Sequence, residues 1–534
     1  MTAGLLSFGP SELAAIGPEL VLGAAGCILV LLEAFAPRSR AWFATLSLAA
    51  VAVSLFLLLN APEGLSFGAR FETSGLTAVA GLFSAGTAAV AILMAGPYLR
   101  RAGQERGEFY ALLLWGHLGV SLMIRGLDLL IVFIGLETLS LCFYVLAAFF
   151  RTITASSEAG LKYFVTGAFA SAFTLYGIVF LFGKSGSLRI ASLSRPGLAG
   201  DPVVIFALLL VLVGFGFKMS LAPFHAWAPD VYQGMPTPAV AYLSVAPKGA
   251  SVLVLYRVLT AMFPDGPLPG RLRAGIAALA ILSMTLGNVV ALAQRDIKRL
   301  LAYSGIAHMG YVTIALAVFG RQALAAVLVY FLAYLVSNAG AFAAVAALYP
   351  DETKPHPIAW LSGEGRRRPF PAGVLALCFF SLAGIPATAG FIGKFLVFQT
   401  AIERGLYTLA LLGIFNSLIS IGYYLKVVYM MYMRDPVEPA PAPSLAAGDR
   451  LALGICGAGI LALGLFPGGV WELARRGTET LPLSDPSAQS LHHPLQTRFL
   501  PRAAASPGTP TTARPSPRTR QIHYLAIPPA TLSS

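Results

Sequence analysis

Fourteen stretches of about 20 predominantly apolar residues follow one another along this chain, near residues 16–35, 42–59, 76–94, 109–123, 127–150, 163–182, 203–227, 240–263, 276–293, 300–319, 323–348, 371–402, 406–433 and 451–470. Each suits the helical crossing of a hydrocarbon core roughly 30 Å thick. A lipid-exposed segment must satisfy its backbone hydrogen bonds within itself, so this series predicts an all-α polytopic membrane protein. Composition agrees: 57% of the 534 residues are hydrophobic and only 11% are charged, against roughly 25% charged in an average soluble domain.

The net charge of +13 would point to nucleic acid in a soluble protein. In this chain most Arg and Lys fall in short loops, where they set membrane orientation, and no nucleic-acid partner is expected. With the N-terminus outside, the inward loops carry Arg38, Arg40, Arg100, Arg101, Arg106, Arg151, Arg295, Lys298, Arg299, Lys354, Arg366, Arg367, Arg368 and Arg434. The outward loops hold fewer, among them Arg70, Arg125, Lys184, Arg189 and Arg404, so both ends of the membrane-embedded region are expected outside. The opening MTAGLLSFGPSELAAIG has no basic region or cleavage site of a signal peptide, and the first span is expected to be retained. Residues 483–534, rich in Pro, Ser, Thr and Arg, are expected to be a disordered tail.

Cys27, Cys142, Cys378 and Cys456 lie inside apolar spans without C-x-x-C spacing. They read as small core residues rather than a disulfide, zinc or iron–sulfur framework. No phosphate-binding loop appears, and the glycines of Gly214–Lys218 lie within a helical run, so no cofactor or metal is expected in this chain.

Four ionisable residues inside spans stand out: Glu137, Lys218, Lys248 and Lys394. A charge at the bilayer centre costs roughly 2.5–3.5 kcal/mol even on lenient scales, so each is a functional candidate. Lys218 precedes Pro223 and Lys394 follows Pro386. A proline inside a span frees backbone groups that are tolerated only against protein or water, so these two spans are expected to be broken and to line a hydrated interior. A carboxylate near Lys218 favours the ammonium while burial favours the amine, and those opposed effects suit a residue that loads and releases a proton. The alternative is a structural Glu137–Lys218 ion pair, which is a poor stabiliser when buried.

His308 and His225 are possible proton relays, because imidazole titrates near neutrality. His117 reads as core. Lys162, four residues after Glu158, is either an interfacial pair or a buried relay. Lys426, late in its span, is placed to extend toward the interface.

The string KMSLAPFHAWAPDVYQGMPTPAVAYLSVAPK (218–248) resembles the signature of the antiporter-like proton-translocating subunits of respiratory complex I, a family shared with multisubunit sodium/proton antiporters. GLETLSL around Glu137, DIKRLLAYSGIAHMGY around His308 and SLAGIPATAGFIGKF around Lys394 resemble the same family in the same order. The resemblance covers roughly residues 1–475. It implies that Glu137, Lys218, Lys248 and Lys394 carry protons, and that residues 109–263 and 276–433 form two inverted five-helix repeats with Lys218 and Lys394 at equivalent positions. It also implies a place in the bacterial plasma membrane beside the antiporter-like subunits L and M and small membrane subunits, with NADH, FMN, iron–sulfur clusters and quinone in partner subunits. A subunit of a stand-alone cation/proton antiporter is the alternative. The chain departs from the family at Pro386-Ala387, where two prolines are common.

Overall fold

A computed structural model describes residues 10–264, 268–349, 355–436 and 445–479. The tail expected to be disordered lies outside the described residues. Helices dominate: α1 (Pro10–Ala15), α2 (Gly17–Phe35), α3 (Phe43–Asn60), α4 (Gly75–Arg101), α5 (Gly107–Arg125), α6 (Leu129–Ala147) and α7 (Thr154–Ser185) lead to α8 (Pro202–Met219), α9 (Trp227–Gly234), α10 (Thr237–Leu243) and α11 (Ala246–Met262). Then come α12 (Gly270–Leu292), α13 (Ile297–Val318), α14 (Arg321–Tyr334), α15 (Gly340–Leu348), α16 (Glu364–Arg367), α17 (Pro369–Ala383), α18 (Ala389–Glu403), α19 (Tyr407–Met433), α20 (Ala447–Leu465) and α21 (Pro467–Glu479). A hairpin of β1 (Gly64–Ser66) and β2 (Phe71–Thr73) links α3 to α4.

Side chains placed just before the helices start them. Asp128 accepts from the Leu130 amide ahead of α6, Asp201 from the Val203 amide ahead of α8, and Asp296 from the Lys298 and Arg299 amides ahead of α13. Each occupies an amide that the first turn leaves without an intrahelical acceptor.

Among the described residues, thirteen helical spans are long and apolar enough to cross a membrane. The remaining expected span, 371–402, is split into α17 and α18 of 15 residues each, about 22 Å apiece and too short to cross alone. The spans differ in where they sit. Over an apolar 18-residue stretch of each, 100%, 94% and 89% of the residues of Thr237–Met262, Ile297–Val318 and Arg321–Leu348 are buried, against 33% and 39% for Thr154–Ser185 and Tyr407–Met433. The first three are therefore the centre of the bundle, and they carry Lys248 and His308.

Two expectations need correction. Arg125, counted above with the outward loops, is the last residue of α5 and is fully buried. Its Nη1 lies 2.7 Å from Glu19 Oε2 and its Nη2 donates to the Ala15 carbonyl and Thr73 hydroxyl. It is a clamp between helices rather than an orientation signal. Cys27, expected in the core, is exposed on α2, while the other three cysteines are buried.

Candidate functional site

The spans that carry Lys218 and Lys394 are both broken as expected. α8 ends at Met219, and Ser220 takes a left-handed φ of 60° before the chain restarts as α9 at Trp227. α17 ends at Ala383, followed by Gly384 at φ 88° and Ala387 at φ 67°, and α18 starts at Ala389. Proline has a fixed φ near −65° and cannot occupy the Ala387 conformation, so this break does not follow a Pro-Pro geometry.

The two lysines lie on opposite sides of their breaks, so the local equivalence that the resemblance implied does not hold. Lys218 sits in the last turn before the break, and its Nζ donates to Ser140 Oγ at 2.9 Å and to the Tyr163 hydroxyl at 3.2 Å. Lys394 sits after the break, in α18, and its Nζ reaches back to the carbonyls of Leu382 (2.7 Å) and Ala383 (3.1 Å) and to Ser417 Oγ (2.9 Å). Those carbonyls are the ones a helix end leaves open, and the negative end of the α17 dipole favours a cation there.

Glu137 is not in salt-bridge contact with Lys218 among the described residues. It accepts a hydrogen bond from Ser171 on α7, while Lys218 is bound to Ser140, three residues after Glu137 on α6. Ser140, Tyr144, Ser171 and Lys218 line one small cavity, and Glu137 is linked to it through its hydrogen bond from Ser171.

Lys248 is completely buried at the start of α11, with no hydrogen-bond partner for Nζ among the described residues and the Tyr232 ring 5.7 Å away. His308, 3% exposed on α13, meets the Tyr330 hydroxyl through Nδ1 (2.6 Å) and the Tyr424 hydroxyl through Nε2 (3.3 Å). The Tyr311 ring joins it to Lys394: its centroid lies 5.7 Å from that of His308 and 5.0 Å from Lys394 Nζ.

Aromatic rings continue the line toward Lys218. Tyr163 stacks on Trp227 at 4.6 Å, and Trp227 meets Tyr232 edge-on at 6.3 Å. Lys218, Lys248, His308 and Lys394 thus follow one another through a series of tyrosines across the bundle centre. The three lysines and His308 stood out in the sequence but the tyrosines did not, because an aromatic residue in an apolar span has the same signature whether or not its hydroxyl faces a charge.

The remaining candidates lie elsewhere. Lys162, with a 43% exposed side chain, pairs with Glu158 at 2.6 Å and with Asp230 at 2.8 Å, and Asp230 also pairs with Arg299 at 2.5 Å. His225 is half-buried in the α8–α9 break, with Nδ1 unpartnered among the described residues. His117 is core, bound to the Tyr242 hydroxyl at 2.9 Å, and Lys426 is exposed. No group of His, Cys, Asp and Glu suited to a metal occurs among the described residues.

Two broken helices facing a buried line of lysines define an antiporter-like ion-translocating membrane subunit. In agreement, residues 126–420 match the family model described as NADH:quinone oxidoreductase/Mrp antiporter, transmembrane. Relatives named NADH-quinone oxidoreductase subunit N are 37% identical in Salinibacter ruber (85% of this chain, 93% of that protein) and 39% identical in Desulfovibrio desulfuricans (86% and 95%). The chain belongs to the NADH-quinone oxidoreductase subunit N family. A chain of respiratory complex I from Thermus thermophilus superposes with a TM-score of 0.74 at 34% identity, covering 86% of this chain and all of that one. A chain of the Mrp complex from Dietzia sp. shares the fold, with a TM-score of 0.78 at 21% identity over 89% of this chain and 98% of that one.

Proposed function

We propose that this chain, as subunit N of a bacterial inner-membrane NADH:quinone oxidoreductase, carries protons along the line from Lys218 through Lys248 and His308 to Lys394. Beside it stand the antiporter-like subunits L and M and small membrane subunits, and other partner subunits of the complex supply the NADH, FMN, iron–sulfur and quinone chemistry. Residues 109–263 and 276–433 act as its two inverted repeats, each with one broken helix. The observation that carries this reading is the buried lysine at the bundle centre: Lys248 has no accessible surface and no hydrogen-bond partner for Nζ among the described residues. A lysine buried without a carboxylate partner is a poor structural element and a competent proton carrier. Glu137 acts on Lys218 at a distance, so a signal that moves the carboxylate changes how firmly the lysine holds its proton.

The test is quinone reduction with coupled proton uptake in inverted membrane vesicles containing the complex. Lys248→Gln is expected to assemble and to lose proton uptake. Full uptake by an assembled Lys248→Gln complex rejects the reading.

A further inference from the structure

Arginines at the inward ends of the helices are mostly paired. Arg40, Arg100, Arg101, Arg299 and Arg368 each stand within 2.9 Å of a carboxylate. Arg106, just ahead of α5, and Arg151, between α6 and α7, differ from these: neither guanidinium has an ion-pair or hydrogen-bond partner among the described residues, and both line one cavity of about 680 Å³.

The cavity is a wedge between the inward ends of α5, α6 and α7. Its rim is polar, with Gln104, Arg106, Arg151, Thr152 and Ser157, and Glu108 is the one acid among the lining residues. Leu112, Val145, Leu161 and Phe164 make its floor apolar. The seam between α6 and α7 is closed beneath it, since a methyl group built on Gly160 would stand 2.6 Å from Ala148 Cβ. Tyr144, edge-on to Phe164 at 5.7 Å, forms the inner wall and separates the wedge from the small cavity of Lys218, which it also lines. Val145, Leu161 and Phe164 are each more than half exposed, so the floor opens sideways, toward the hydrocarbon that surrounds a membrane-crossing helix.

We propose that this wedge binds one anionic phospholipid of the inward leaflet, its phosphate held by Arg106 and Arg151 and an acyl chain lying along Leu161 and Phe164. A guanidinium is the side chain best suited to a phosphate, because its planar fork donates two parallel hydrogen bonds. Basic pockets between membrane helices on this side suit anionic headgroups, and the inward leaflet supplies them. Two arginines and Glu108 leave the rim with one net positive charge, which a singly negative headgroup such as phosphatidylglycerol neutralises and a zwitterionic one does not. An acidic segment of a partner protein could satisfy the arginines, but its backbone amides and carbonyls would find no acceptors or donors on the apolar floor. A lipid meets both halves of the wedge with one molecule.

The native complex is placed in phosphatidylcholine nanodiscs containing a phosphatidylglycerol with a photoreactive group on one acyl chain, and the labelled peptides are identified after irradiation. Labelling is expected on α6 and α7 around Val145, Leu161 and Phe164, and it should be displaced by unlabelled phosphatidylglycerol but not by phosphatidylcholine. Arg106→Gln together with Arg151→Gln should lower it about 25-fold, roughly fivefold for each charge removed near the membrane surface. Glu108→Gln should raise it. Leu161→Trp, at a side chain that is already exposed, should obstruct the wedge and lower labelling with both arginines intact. Equal labelling by a photoreactive phosphatidylcholine overturns the proposal, as does labelling that withstands either the arginine pair or Leu161→Trp. Absence of lipid label from these segments, with the same peptides cross-linked to a partner subunit instead, makes the occupant a protein and overturns it as well.

Discussion

Lys394 closes the helix it is not part of: from α18 its ammonium donates to the Leu382 carbonyl of α17 at 2.7 Å. The side chain proposed to carry a proton therefore also holds the break together. Removing its donors leaves the Leu382 and Ala383 carbonyls without that partner, at roughly 1–3 kcal/mol for each unsatisfied buried group. The amide of Lys394→Gln keeps two donors on a shorter chain and carries no charge.

Lys394→Ala should accordingly lower the temperature at which the complex inactivates and abolish proton uptake, while Lys394→Gln should lose uptake with a smaller loss of thermal stability. Thermal inactivation is measured beside proton uptake in the same vesicles. Equal stability of the alanine and glutamine variants would show that the carbonyl contacts are incidental.

The hydroxyls between Glu137 and Lys218 give a second prediction. Glu137 is bound to Ser171 and Lys218 to Ser140, and no salt bridge locks the pair among the described residues. Glu137→Gln keeps the shape and removes the charge, so it should weaken proton uptake more than assembly. In a double-mutant cycle with Ser140→Ala, the combined loss should differ from the sum of the single losses, because Ser171, which binds Glu137, lines the same cavity as Ser140 and Lys218. Strict additivity would mean that the glutamate and the lysine are not coupled through this space.

Much of this was legible in the sequence. Apolar runs of about 20 residues mark spans without tertiary information, and the prolines after Lys218 and before Lys394 marked both breaks. What was not legible depended on three-dimensional direction. Nothing in SLAGIPATAGFIGKF tells that Lys394 turns back toward Leu382, and the distance between Glu137 and Lys218 depends on how α6 and α8 both pack against α7. Arg125 and Arg257 were missed as buried charges because their partners, Glu19 and Glu72, lie 106 and 185 residues away in sequence.

Those buried pairs have a structural consequence. Arg125 is fully buried against Glu19, and Arg257 pairs with Glu72 at 2.5 Å. Removing one partner of a buried pair costs about 3–5 kcal/mol, whereas replacing both by apolar residues is often neutral. Arg125→Leu should reduce the amount of assembled complex, and Arg125→Leu with Glu19→Leu should restore much of it, as read on a native gel. If the double variant assembles no better than the single one, the pair serves more than packing.

The last prediction contrasts arginine at the two broken helices. Arginine stays protonated at any working pH, so it can replace a lysine that only supplies positive charge but not one that must give up its proton. Lys218 is 3% exposed, held by Ser140 and Tyr163 beside the cavity that it shares with Ser171, the placement of a residue that cycles between ammonium and amine. Lys394 has two backbone carbonyls as partners, and a guanidinium can donate to both. Lys218→Arg should therefore block proton uptake about as completely as Lys218→Ala, while Lys394→Arg should keep the break closed and retain partial uptake. Both variants are compared at equal assembly by quinone reduction with coupled proton uptake in membrane vesicles. Near-normal pumping by Lys218→Arg would show that no deprotonated form of that side chain is needed, and the carrier role of Lys218 would have to be abandoned.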